Sequence, residues 1–414
     1  MARTTFSRRR MLAGAGAAAA TMAVAPTTAF ATNTDQRAST LTWVGTWAAA
    51  ATAGVANTPN GFPNFSIRNA LHASIGGSAV RVRLSNAFGA QPVVMGHVTV
   101  ALAARPNTPN AVPGSLRSLS FNGRPSITIP AGADVFSDPV ALNVPFGADL
   151  LVTTFTPLPS GPVTFHPVGA QNSFFTNNGD HAADESGAAF NQTTSVWHYV
   201  NEVDVMTRSP GSVVTFGDSI TDGVGSTFNA NHRWPDFLAT RIGRLPAGQQ
   251  LGVCNAGISA NRLLLTNDPN SGQNGLARLS RDVLAKSAAR TLIVLLGIND
   301  IQQQPHETDP VPITTALREV VSQGRARGLR VIGATLTPFK GWTAWTPTLE
   351  TTRTAVNNWI RTGGAYDAVV DFDAAIRDPA NPLAMLPAFD SGDHLHPKDA
   401  GYQAMANAID LTTL

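Results

Sequence analysis

From Ser209-Pro210-Gly211 onward the chain repeats one unit: a short, uninterrupted apolar run, then a longer stretch with apolar residues three and four apart. The runs span 213–216, 251–255, 291–296, 329–336 and 368–372. A continuous apolar run of that length suits a strand buried on both faces, whereas a half-exposed strand would alternate. Between the first two runs, Trp234, Phe237, Leu238, Arg241, Ile242 and Leu245 include an apolar stripe along one helix face. Further helices are predicted at 276–289, 313–327, 349–361 and 398–411. Strand and helix alternating in this way predict an α/β domain over 210–414, a flavodoxin-like doubly wound parallel sheet.

The preceding stretch, 41–207, follows a different grammar. Short β-type runs at 41–47, 66–74, 80–85, 93–101, 126–129, 149–155 and 196–205 are separated by Gly, Pro, Asn and Asp. In Val80-Arg81-Val82-Arg83-Leu84, apolar and charged residues alternate, which puts one face inward and one outward. No amphipathic helix is evident there, so the expectation is an all-β sandwich or jelly roll in front of the α/β domain. Residues 32–40 are polar and read as a disordered linker.

The first 31 residues stand apart. Ser7-Arg8-Arg9-Arg10-Met11-Leu12 precedes an Ala/Gly-rich stretch, and Ala29-Phe30-Ala31 offers small residues for cleavage. This pattern is that of a twin-arginine export signal and predicts a secreted protein. The apolar stretch is shorter than the roughly 20 residues a spanning helix needs, so no stable membrane insertion is expected. Lys and Arg number 29 against 27 Asp and Glu, but Arg3, Arg8, Arg9 and Arg10 all lie in this segment, which holds no acid. Without it the chain is slightly acidic and lacks a basic cluster, which argues against nucleic-acid binding. With 43% hydrophobic and 14% charged residues, the composition belongs to a globular protein. Cys254, the sole cysteine, cannot form an internal disulfide, and in its apolar run it reads as a buried strand residue.

In an open parallel sheet, ligands bind beyond the carboxyl ends of the strands. There the sequence places Gly217-Asp218-Ser219-Ile220, then Ala256-Gly257-Ile258-Ser259, then Gly297-Ile298-Asn299-Asp300, and after the last strand Asp393-His394-Leu395-His396. A serine nucleophile needs a base, and the base needs a partner that fixes its tautomer. Ser219, His396 and Asp393 supply the three. An oxyanion needs fixed donors, for which the amides of Ser219 and Gly257 and the side chain of Asn299 are sited.

These four blocks resemble the motifs of the SGNH, or GDSL, hydrolase superfamily, in its order and after strands. The resemblance covers 210–414 and implies a carboxylic ester hydrolase working through an acyl-enzyme. It makes Ser219 the nucleophile and an oxyanion donor, Gly257 and Asn299 the other donors, His396 the base and Asp393 its orienting partner. Ile220 stands where the family more often has Leu. The longer stretch from Phe216 to Gly223 is similar to secreted actinobacterial members with an extra β domain in front.

Other readings of the same residues remain open. Asp218 and Asp222 suit turn capping, Asp300 suits holding its loop, and His394 is a rival base that breaks the Asp-x-x-His spacing. No zinc-type spacing is visible, and neither a metal nor a cofactor is expected. Trp342 and Trp345, in the loop after the fourth strand, are candidates for substrate binding or a packed flap. Trp43, Trp47 and Trp197 fit either a glycan-binding β domain or one that packs on the catalytic domain. The expected partner is an ester, acetyl, feruloyl or other acyl, of a carbohydrate or small alcohol. The alternatives are a lipid acylhydrolase or acyltransferase and a noncatalytic secreted binding protein.

Overall fold

A computed structural model describes residues 40–414 apart from 267, so the export signal and most of the linker lie outside the described residues. The five apolar runs form the strands Ser212–Gly217, Gly252–Gly257, Ala289–Leu295, Arg330–Ala334 and Ala368–Val370, all parallel. Their spatial order is second, first, third, fourth, fifth. In this flavodoxin-type order the topological switch point lies between the first and third strands. The loops carrying Ser219 and Asn299 therefore open onto one crevice.

Helix Trp234–Ile242 packs with Asp399–Ala408, while Pro310–Ala326 packs with Gly275–Leu279 and Pro347–Thr362. The first strand between them is buried at every position. One predicted helix ends early: after Leu279 it widens into a π-turn over Ser280–Leu284, and Ala288 adopts a left-handed φ of 48° before the third strand. Residues 285–288 are therefore a turn.

Ahead of the parallel sheet lies an antiparallel β region. One sheet runs Thr42–Ala48, Val200–Thr207, Gly77–Ser85, Val140–Val144, with Asp134–Phe136 also on Gly77–Ser85. The other runs Gln192–Thr194, Ser173–Thr176, Phe65–His72, Asp149–Thr156, His97–Leu102, Arg117–Ser118. Val44, Val82 and Val203 of the first share a core with Ile67, Val100 and Leu150 of the second, which makes a sandwich. The predicted strand at 93–101 is two strands in different sheets, Val93–Met95 and His97–Leu102.

The charged face of Gly77–Ser85 does not meet water as its alternation suggested. Arg81 donates to Asp204 at 2.8 Å and Arg83 to Glu202 at 3.2 Å, and both carboxylates are buried under the α/β region. Ser287 donates to Asp204 at 2.6 Å, and the Lys286 ammonium stands 3.6 Å from Glu202. Burial and the neighbouring Glu202 push Asp204 up to about 6. Beside this cluster the backbones nearly touch: a Cβ on Gly252 would lie 2.0 Å from Gly45 O, and one on Gly45 would lie 2.6 Å from Cys254 Sγ. Ser74 accepts the Val253 amide at 2.8 Å, capping the edge strand of the parallel sheet from the β region. Cys254 is buried without a disulfide, and burial pushes its thiol pKa upward. Among the described residues, no helix is long and apolar enough to cross a membrane.

Candidate active site

Ser219 opens a one-turn helix, Ser219–Asp222, just beyond the first strand. Asp218 caps the turn by accepting the Ile220 amide at 3.0 Å, and Gly223 closes it at φ 103°, where glycine is favoured. Gly217 is confined as well, since a Cβ there would lie 2.1 Å from Thr221 Oγ1. The serine thus sits on a fixed corner at the mouth of the crevice.

His396 approaches from the loop before Asp399–Ala408. Ser219 Oγ donates to His396 Nε2 at 2.8 Å, and His396 Nδ1 donates to Asp393 Oδ2 at 2.6 Å. A carboxylate only accepts, so the ring proton resides on Nδ1 and the Nε2 lone pair faces the serine. Asp393 Oδ1 accepts the amides of Leu395 and His396 at 2.9 and 2.8 Å. Burial alone would raise the Asp393 pKa, but these bonds and the His396 ring outweigh it and hold the group below the usual carboxylate range. His394 turns away: it is 52% exposed and pairs with Asp390 at 2.6 Å.

The three expected oxyanion donors lie on adjoining turns but are not equivalent. Asn299 Oδ1 accepts the side-chain amides of Gln302 and Gln303 at 2.7 and 3.0 Å, which fixes the orientation of its own amide. Asn299 Nδ2 donates one N–H to Asn261 O at 3.0 Å, leaving its second N–H to serve an oxyanion. The Gly257 amide instead donates to Asn255 Oδ1 at 2.8 Å, so serving an oxyanion requires it to exchange Asn255 for the substrate. A Cβ on Gly257 would lie 2.3 Å from Asp222 N, so this loop meets the nucleophile turn backbone to backbone. Beneath them the buried Arg278 donates to Gly217 O and Ala256 O, each at 2.8 Å, and to Asn261 Oδ1 at 2.9 Å. One guanidinium thereby ties the ends of the first and second strands and the loop after the second together, and burial lowers its pKa to about 10.

Asp300 accepts the Leu263 and Leu264 amides at 2.7 and 2.9 Å, the loop-holding role that its position suggested. Asp222, expected to cap its turn, reaches outward instead: its carboxylate accepts Ser259 N, Ser259 Oγ and His166 Nε2 at 2.8, 2.7 and 2.9 Å. Burial, with no partner for Oδ2, pushes Asp218 up to about 7.

The Trp342 ring stands edge to face with His396, centroids 6.3 Å apart, and its Nε1 donates to Gln302 at 2.9 Å. Trp345 donates to Glu350 at 3.3 Å and lies under the Lys340 ammonium, the arrangement of a packed flap. Trp47 and Trp197 are buried edge to face at 4.9 Å, so neither is a free stacking platform, and Trp43 sits beneath Arg81. Among the described residues, no group of three or more His, Cys, Asp or Glu side chains converges as a metal site would require. Sequence reasoning missed His166, Gln302 and Arg278. Of these only Arg278 carried a signal, a charged residue flanked by the apolar positions 276, 279 and 283 of a predicted helix.

A parallel sheet in this order, with these motif loops at its carboxyl ends, is the SGNH hydrolase fold. Residues 215–404 match the model of the GDSL-like Lipase/Acylhydrolase family. Solved structures similar to the chain include a GDSL-like lipase from Bacteroides thetaiotaomicron, 19% identical over 49% of this chain and 87% of that one, with a TM-score of 0.38. A carbohydrate acetylesterase from Sinorhizobium meliloti is 17% identical over 48% and 95%, TM-score 0.37. The inhibitor-bound aryl esterase of M. smegmatis is 18% identical over 47% and 94%, TM-score 0.39. No curated protein matches the chain.

Proposed function

We propose that the protein is a secreted serine esterase that cleaves carboxylic esters through an acyl-enzyme on Ser219. The observation that carries this is the unbroken line Ser219 Oγ to His396 Nε2, His396 Nδ1 to Asp393, at 2.8 and 2.6 Å. Ser219 Oγ attacks the ester carbonyl carbon as His396 Nε2 takes its proton, with Asp393 stabilising the imidazolium. The carbonyl oxygen, now an oxyanion, receives N–H bonds from Asn299 and the Ser219 backbone, and from Gly257 once Asn255 releases it. His396 returns the proton to the departing alkoxide, leaving the acyl group on Ser219. Water then attacks the acyl carbon, again giving its proton to His396. Collapse of that second intermediate breaks the bond to Ser219 Oγ, which takes the proton back, and releases the acid.

The substrate class we favour is a small acyl ester of a carbohydrate or simple alcohol. The Trp342 ring beside His396 supports it, since an aromatic face there suits a sugar ring or an aryl group. Export rests on the twin-arginine pattern at Arg8 to Leu12. The deciding experiment compares wild type with a folded Ser219→Ala variant on acetyl, butyryl, long-chain and feruloyl esters, with an EDTA control. Turnover that vanishes in the variant and ignores EDTA supports the serine mechanism, and the preferred ester assigns the class. Full activity in the variant, or loss with EDTA, overturns it. Replacing Arg9 and Arg10 by Lys in the producing cell should trap the protein inside; unchanged export would remove the secretion reading.

A further inference from the structure

The β region's purpose is not explained by the chemistry above, since every group in that chemistry comes from beyond residue 210. One side chain of the β region nevertheless reaches the nucleophile turn. His166, on the strand Thr164–His166, is buried against Asp222, the last residue of the turn that Ser219 opens.

Its geometry restricts its protonation. Nδ1 faces Ala50 O at 2.7 Å, while Nε2 faces Asp222 Oδ1 at 2.9 Å and Val168 O at 3.2 Å. A carbonyl oxygen only accepts, so Nδ1 must donate. Val168 O beside Nε2 is likewise a carbonyl that only accepts, so Nε2 must donate too. Both ring nitrogens carry hydrogen, and the ring is a buried imidazolium. Trp197 stacks on it, centroids 5.4 Å apart at 30°. Burial alone would lower the His166 pKa, but the charge and hydrogen bond of Asp222 prevail over it and over the opposing Arg233, and the net shift is upward. Arg233 approaches from the helix start at Trp234, donating to Asp222 O at 2.9 Å, while His72 and Asp236 line the same small cavity.

We propose that His166 is a positioning residue for ester hydrolysis: it clamps Asp222, and Asp222 in turn holds the Ser259 loop so that Gly257 and Ser219 keep their spacing. Two contacts carry the coupling. Asp222 binds Ser259, two residues beyond Gly257, and Gly257 abuts the Asp222 backbone without room for a Cβ. The β region thus completes the active site from behind rather than by touching substrate. Displacements below an ångström at a reacting centre cost much in rate, so the effect should fall on kcat.

This inference rests on the serine esterase reading, and the test separates the two. Wild type, His166→Ala, His166→Gln and Ser259→Ala are compared on p-nitrophenyl acetate from pH 6 to 10. Active sites are counted by a fluorophosphonate that labels the nucleophilic serine, and folding is followed by thermal unfolding. His166→Ala should lose roughly 10- to 100-fold in kcat per labelled site with KM changed less than about threefold. His166→Gln, which keeps one N–H toward Asp222, should recover part of the loss, and Ser259→Ala should show the same kcat-specific fall. The imidazolium is lost as pH rises through its elevated folded pKa, so wild type should show an alkaline decline in kcat that His166→Gln lacks. If His166→Ala does not fold, the Gln and Ser259 variants decide. A normal kcat per labelled site with only a lower Tm would overturn the positioning role, whereas wild type that neither labels nor turns over would overturn the esterase reading instead.

Discussion

Gln302 donates its side-chain amide to Asn299 Oδ1 at 2.7 Å, and Gln302 in turn accepts the Trp342 indole N–H at 2.9 Å. An Asn amide has two orientations, and only one aims Nδ2 toward an oxyanion. The relay from Trp342 through Gln302 selects that one. Asn299→Ala should cost about 10²- to 10³-fold in kcat, the usual loss for an oxyanion donor. Gln302→Leu leaves Gln303 as the remaining donor to Oδ1 and should cost about tenfold, or ~1.4 kcal/mol. Steady-state kinetics on one acetate ester check both, and an unchanged kcat in Gln302→Leu would reject the relay.

Trp342 combines two roles that substitution can separate. Trp342→Phe keeps an aromatic face near His396 but removes the N–H to Gln302, so it should lower kcat on acetate and bulky esters alike. Trp342→Ala removes both, and should raise KM for a bulky aryl or sugar ester beyond its effect on acetate. Equal KM changes on the two substrates would remove the binding role and leave only the relay.

Asp393→Asn should preserve the loop yet nearly abolish turnover. An Asn amide facing His396 Nδ1 favours the tautomer with the proton on Nε2, which cannot accept from Ser219. A loss of about 10⁴ in kcat at neutral pH is expected, with little change in Tm. Retention of more than a tenth of wild-type kcat would assign the orienting role elsewhere.

The parts of the site that were legible in the sequence are those fixed by short-range order. A residue just past a buried strand must lie at the carboxyl edge of the sheet, so Ser219 and Asn299 were placed by strand periodicity alone. Asp393 and His396 were legible because three residues span one turn. What was not legible depends on pairings across the fold. His166 meets Asp222 only because a β strand docks behind the nucleophile turn, and no local pattern records that. The alternation around Arg81 and Arg83 gave a two-faced strand, but its charged face is covered because Asp134, Glu202 and Asp204 neutralise it from neighbouring strands. Trp345 was placed by its loop after the fourth strand as either a binding residue or part of a packed flap, and loop position is blind to the Glu350 bond that decides for the flap.

Asp218 makes a pH-dependent contribution whose sign is fixed. Its carboxyl titrates near the ordinary 3.8 when unfolded and at about 7 when folded, chiefly because burial disfavours the charge. Between those values the folded state retains a proton that the unfolded state has released, so stability falls as pH rises through the window. Asp218→Asn removes this dependence while its side-chain oxygen still caps Ile220. Relative to wild type, the variant should gain stability between pH 4 and 8, on the order of a few kcal/mol, with little further gain above. Denaturant melts at four pH values would show it, and a constant gap would count against a buried, strained carboxyl.

The contact between Gly45 and Gly252 sets how closely the β region docks on the edge of the parallel sheet. A methyl on Gly252 would lie 2.0 Å from Gly45 O, and that oxygen belongs to backbone that cannot swing aside as a side chain can. Gly252→Ala should therefore destabilise the protein by about 1–3 kcal/mol, the usual cost of overpacking. Gly328→Ala is a useful contrast: its Cβ would meet no atom within 4 Å, and its cost should come only from a left-handed φ of 81°. The two variants also differ in what they disturb. Gly252 opens the strand that leads to Gly257, while Gly328 lies in the turn that precedes the fourth strand. Gly252→Ala should thus lower both Tm and kcat, and Gly328→Ala should lower Tm alone. Equal kcat in the two variants, measured well below either melting point, would mean that docking of the β region does not reach the active site.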